Sequence, residues 1–194
     1  MILFPTGLVL TGNENSCLLH MVPDAETWLS STIAEKSRLR RDALIQEWRP
    51  KLYADESVTE LPADDEALCA LIMARDDYKT RLQQDAMADP PEPTSTHNKD
   101  NYDAVTRSGS TVTLFGLGIN LADLSGNCIL AYVQNLEEWV IGALMGQVNR
   151  GKKKMIAKYH PIIMADSSVT TMPATEDGLI TMILARSDYQ RLGG

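Results

Sequence analysis

The chain has 194 residues, 44% hydrophobic and 23% charged, which places it among globular proteins with room for one ordinary domain or two small ones. Its formal net charge of −8 argues against a whole-molecule attraction to nucleic acid or to an anionic membrane. No apolar run approaches the ~20 residues needed to cross a bilayer, and the first residues lack a secretory leader, so a cytoplasmic location and no membrane partner are expected.

A shift of 111 residues, without a gap, lays residues 114–189 on residues 3–78 with 24 identities in 76 positions. The matches include Phe4 with Phe115, Cys17 with Cys128, Trp28 with Trp139 and Pro50 with Pro161. The expected organisation is therefore a tandem repeat: a first α+β unit over 1–85, an acidic proline-bearing linker over 86–110, and a second α+β unit over 111–194. A unit of this size is near the lower limit for burying its own core, so the two should cover each other or be covered by other chains.

Taken in order, residues 3–10 alternate and are rich in Leu and Val, Gly12-Asn13-Glu14-Asn15 resembles a turn, and residues 17–22 are apolar again. That pattern predicts a β-hairpin. Residues 111–121, Ser125-Gly126-Asn127 and residues 128–133 repeat it. Leu136, Trp139, Val140, Ala143, Leu144 and Val148 then recur at helical spacing, with Asp24 or Asn135 at the N-cap position. A helix of about four turns is predicted, ending in the second unit at Asn149-Arg150-Gly151, with a further helical stretch stopping near Pro161; the first unit has no glycine there, which leaves its helix free to run through. Trp28 and Trp139 are expected to be core anchors. Residues 62–78 read as a helix entered through Asp64, Asp65 and Glu66; residues 175–189 fit a helix or a buried strand, and the capping pattern favours helix. The proline-rich linker should be extended or poorly ordered.

Candidate functional residues fall into two groups. The segment Ala-Arg-x-Asp-Tyr is present twice, as Arg75, Asp77 and Tyr78 and as Arg186, Asp188 and Tyr189, alongside Asp55 and Asp166. It can serve as a recognition patch, or as an ion pair and a tyrosine closing the end of an element. The second group is basic: Arg38, Arg40 and Arg41 with Lys36, and Lys152, Lys153 and Lys154 with Arg150, at nearly the same place in each unit. These could contact phosphates, or form a solvated face or a contact with an acidic partner.

His20 follows Cys17 at a spacing compatible with a metal, but Ala131 stands at the matching position, so buried thiols and a partly exposed histidine are expected instead. Three cysteines at wide spacing, Cys17, Cys69 and Cys128, fit reduced thiols. Three histidines give a nucleophile few bases, and Gly116-Leu117-Gly118 lacks the third glycine of a phosphate loop. No cofactor or metal is expected.

Residues 41–81, with Glu47-Trp48-Arg49-Pro50, Ala54-Asp55, Val58-Thr59, Leu61-Pro62-Ala63 and the Arg75, Asp77, Tyr78 segment, resemble short uncharacterised proteins encoded in tailed-phage and prophage genomes. The resemblance covers about 40 residues in each unit. It implies a phage-type virion or assembly component and carries over no catalytic residue. The reading from sequence is a non-enzymatic structural or interaction protein, with a protein partner or self-association. The alternatives are a nucleic-acid-associated regulator using the basic clusters, and an enzyme whose site lies between the units near His20 or His160.

Overall fold

The computed structural model describes residues 2–88, here called the first half, and residues 111–191, the second half. The first half contains β1 Ile2–Leu3, β2 Leu8–Thr11, α1 Gly12–Leu19, α2 Ala25–Ala54, α3 Asp65–Met73 and α4 Arg81–Met87. The second contains β3 Thr111–Leu114, β4 Ile119–Asn120, α5 Asp123–Leu130, α6 Leu136–Ala165 and α7 Glu176–Leu184. The fold is a mixture of helices with two small sheets, in agreement with an α+β class. Both ends of α1, α2 and α3 lie 111 residues before the ends of α5, α6 and α7.

The hairpin expected in each half is not formed. Residues 12–19 and 123–130 are helices rather than a turn leading into a second strand. At α1 the cause is a capping box: Thr11 Oγ1 accepts the Glu14 N–H at 3.2 Å, and the Thr11 N–H donates to Glu14 Oε2 at 2.7 Å. Helix α5 has no side-chain cap, but Asp123 lies in its first turn, where a carboxylate suits the helix dipole.

The strands pair between the halves instead. Antiparallel β1 and β4 place Ile2 opposite Asn120 and Leu3 opposite Ile119; β2 and β3 place Leu8 opposite Leu114 and Val9 opposite Thr113. Adding 111 to one partner and subtracting it from the other converts the first pair of pairings into the second, so the register obeys a local twofold relation. Between the strands of each half, Gly7 N–H donates to Phe4 O at 2.7 Å and Gly118 N–H to Phe115 O at 2.6 Å. Gly7 and Gly118 have φ of 84° and 81°, which their lack of a Cβ permits. Phe4 and Phe115 also take positive φ, 49° and 50°, a strained choice for a bulky residue. Each is held by the opposite half: Phe4 N–H donates to Glu137 Oε1 at 3.3 Å and Phe115 N–H to Glu26 Oε1 at 2.6 Å.

Helices α2 and α6 each run 30 residues: α2 runs through, as its lack of a glycine allowed, and α6 does so against the expected end at Gly151. Neither Gly151 nor Pro161 stops α6, and Pro50 does not stop α2, because the turn beyond each proline buries Leu52 or Ile163 at 1% exposure. Gly151 is a point of close approach, packed on the backbone of Cys17.

Helix packing is also exchanged. Helix α1 of the first half lies on α6 of the second, and α5 of the second lies on α2 of the first. One core joins Leu44, Ile45, Trp48, Leu52, Leu68, Cys69 and Ile72 to Cys128 and Ala131. The larger core combines both sheets, α1, the start of α2, and α6 and α7. Trp28 and Trp139 only border it, half-buried, whereas Trp48 and its counterpart Tyr159 on the same long helices are buried. Helices α3 and α7 settle the last element as helix, capped by Asp64 and Thr175. Ala86 and Met87 belong to α4 rather than to the linker, and residues 89–110 lie outside the described residues. Among the described residues, no helix is long and apolar enough to cross a membrane.

Candidate interaction site

The two Ala-Arg-x-Asp-Tyr segments follow directly after α3 and α7, and their arginines join those ends to the ends of the long helices. Asp55, the C-cap of α2, turns its carboxylate on the next residues, accepting Ser57 N–H at 3.0 Å and Ser57 Oγ–H at 2.6 Å. Arg75 Nη1 reaches Asp55 Oδ2 at 2.8 Å while its Nε donates to Asp77 Oδ1 at 2.8 Å. The second half repeats this. Asp166 accepts Ser168 N–H and Oγ–H at 3.0 and 2.6 Å, and Arg186 bridges Asp166 at 3.1 Å and Asp188 at 2.7 Å.

A guanidinium with its fork engaged by two carboxylates is well placed at the negative ends of two helices. The Ser57 hydroxyl and then Arg75 hold the Asp55 carboxyl down at about 2. Asp166 is lowered in the same way by Ser168 and Arg186, and both guanidiniums are held more firmly charged by their carboxylates. Each bracket is therefore a clasp between two helix ends. Arg75 and Arg186 remain about a fifth exposed, and Asp77 and Asp188 about half.

Behind each clasp the motif tyrosine pairs with an aromatic residue of the long helix, Trp48 or Tyr159, which is not among the candidate functional residues named from sequence. Trp48 lies 6.2 Å from Tyr78, with Lys51 and Arg75 over its ring; Tyr159 lies 5.8 Å from Tyr189, with Lys158 over its own. Their signal was the spacing Leu44, Trp48, Leu52 and Met155, Tyr159, Ile163 on one helix face. The two tyrosines of the motif reach across to the opposite half. Tyr78 Oη–H donates to Asn127 O at 3.4 Å, and Tyr189 stacks on His20 with ring centroids 6.0 Å apart. His20 is only 1% exposed, against the expectation of a partly exposed ring, and burial followed by Lys158 and Lys154 lowers its pKa.

The basic clusters are not equivalent in three dimensions. Arg38 is engaged by Glu35 at 2.8 Å and Asp42 at 3.1 Å, Arg41 lies 3.6 Å from Asp42, and Arg40 stacks on Tyr132 of the other half at 4.6 Å. Lys152 is bound to Asp177 at 2.8 Å, whereas Lys153 and Lys154 are exposed on α6.

Two open grooves flank these features. One, of about 500 Å³, runs beside the Arg186 clasp between Asp166, Ser168, Thr170, Met182 and Ser187. The other, of about 610 Å³, lies along α2 between Ile45, Arg49, Pro50, Tyr53 and Asp65. Tyr53 and Met164, at matching positions of the long helices, are 74% and 64% exposed, and Leu117 is 92% exposed. Comparison with protein-family models, with curated proteins and with solved structures finds no match.

Proposed function

We propose that the chain is a non-enzymatic structural or interaction protein, two copies of one unit forming a pseudo-dimer in a single polypeptide, of the kind a phage uses as a virion or assembly component. The observation that carries this reading is the reciprocal exchange of strands and helices between the halves: each supplies the other's β partner and the cover for the other's long helix. A unit built as an interface between two copies presents its outer surface twice, in quasi-equivalent form, as an assembly module requires. The repeated clasps fit that role better than chemistry, since their carboxylates and guanidiniums are spent on each other.

The exposed apolar residues at the ends of the long helices, with Leu117 at its turn, are the surfaces through which association would proceed. Ile162 and Met164 stand where the first half has Lys51 and Tyr53, so the second half is the more deeply covered in an assembly. Light scattering on the full chain across micromolar concentrations tests this. A mass rising with concentration, and reverting on Leu117→Asp or Met164→Asp, is expected; a single-chain mass throughout would reject self-assembly and leave hetero-association. The second reading, a nucleic-acid-associated regulator, rests on exposed Lys153 and Lys154. It requires binding to DNA that weakens steeply as salt rises.

A further inference from the structure

All three thiols are buried, but they are not alike. Cys17 on α1 and Cys128 on α5 occupy matching positions in the two halves, and each feels the positive charge of the opposite long helix, Lys152 for Cys17 and Arg41 for Cys128. Lys152 and Arg41 are themselves matching positions. The difference lies in the third element. Against α5 stands Cys69 of α3, whereas the residue of α7 matching Cys69 is Ile180. Helices α3 and α5 pack on each other, and Cys69 and Cys128 lie together in the smaller core, so the two thiols are neighbours across the junction between the halves.

We propose that Cys69 and Cys128 form a reversible dithiol–disulfide pair whose oxidation covalently ties α3 of the first half to α5 of the second. The oxidant is a small organic disulfide. The Cys128 thiolate attacks one of its sulfurs, breaking the S–S bond and releasing one thiolate, which leaves a mixed disulfide on Cys128. Cys69 gives up its proton and attacks Cys128 Sγ, expelling the second thiolate. Two protein thiols thereby lose two protons and two electrons, and the oxidant is reduced to two thiols. The neighbouring Cys69 thiol and Arg41 favour the charged form of Cys128, which suits it to the first attack, while Cys69 keeps its proton until the second. Cys17 has no thiol neighbour to resolve such an adduct, and burial pushes its own thiol up to about 11. Both sulfurs of the pair are at most 1% exposed, so the oxidant reaches them when α5 lifts from α3.

The cross-link would close a loop that contains the connection between the halves, turning a joint held by packing into a covalent one. The test uses the full chain treated with oxidised glutathione, then denatured, alkylated and analysed by intact mass and peptide mapping. Expected are a mass lower by two hydrogens, alkylation at Cys17 alone, a cross-linked peptide pair holding Cys69 and Cys128, and reversal by dithiothreitol. The oxidised chain should melt roughly 5–10 °C above the reduced one. Cys17→Ser should leave the cross-link intact and Cys69→Ser should abolish it. Three alkylated cysteines, lasting glutathione adducts, or a disulfide that includes Cys17 in the wild-type chain would each overturn the proposal, whatever the folding of the variants.

Discussion

Gly151 of α6 and Cys17 of α1 touch backbone to backbone: a β-carbon built on Gly151 would collide with the Cys17 carbonyl, whose carbon lies 2.7 Å from it. The contact lets a helix of one half seat directly on the long helix of the other. Gly151→Ala should therefore destabilise the protein by about 2–4 kcal/mol, although alanine is the better helix former by ~1 kcal/mol. Gly146, on the same helix, has no atom within 4 Å of such a β-carbon, so Gly146→Ala should stabilise by about 0.5–1 kcal/mol. Urea denaturation of the two variants measures both; equal effects of one sign would show that α1 does not rest on Gly151.

The tryptophans separate core from rim. Trp48 is 6% exposed inside the smaller core, so Trp48→Ala should cost about 3–5 kcal/mol. Trp139 only borders the larger core, and Trp139→Ala should cost clearly less. Thermal melts of both variants rank them, and a larger loss at Trp139 would contradict the packing described.

Because strands and helices are exchanged, the halves should stay together once the chain between them is cut. With a protease site placed within residues 89–110, the cleaved protein should elute as one complex of two fragments. Fragments that separate under native conditions, each as a folded monomer, would count against the exchanged arrangement.

Two groups of titrations set the response to acid. Burial and the charges of Lys158 and Lys154 depress the folded-state pKa of His20 below its ordinary 6.5. As pH falls below that value the unfolded chain binds a proton that the native state refuses, so stability declines; His20→Gln should flatten this part of the curve. The carboxylates act lower. Asp55 sits at about 2 against 3.8 in an unfolded chain, and Asp166 is lowered too, so their stabilisation is complete above about 4 and is lost as pH falls toward 2. Arg75→Gln should diminish that second step. Denaturant midpoints from pH 7 to 2 provide the comparison, and an Arg75→Gln profile identical to wild type would mean the clasp adds nothing.

Much of the architecture was legible because its signals were local. Asp24 and Asn135 cap the long helices, Asp64 caps α3, and the acidic run there is a helix start, all readable from residue type and position. The misread elements depended on distant partners. Residues 17–22 alternate weakly enough to pass for a strand, and only the Thr11 to Glu14 spacing pointed to a helix. Gly151 resembled a helix end because nothing local reveals that α1 will lie on it. The arginine clasps were visible as repeated residues, but their engagement with Asp55 and Asp166 follows from a chain reversal of about twenty residues. The meeting of Cys69 with Cys128 could not be read at all, since it needs the exchange between halves.

That exchange also governs how the protein can be born. Leu8 finds its β partner in Leu114, so the first sheet contact must wait for more than a hundred further residues to be synthesised. At ~5–20 residues per second, a nascent first half leaves the ribosome several seconds before α6 can cover α1 or α5 can complete the cover that α3 gives α2. Ribosome-arrested chains ending before α5 should therefore be protease-sensitive throughout, and chains carrying all of α6 beyond the exit tunnel should acquire resistance in both halves together. During that interval neighbouring nascent chains on one message compete for the same strand edges, so the rate of translation, as well as the finished sequence, decides whether each chain closes on itself.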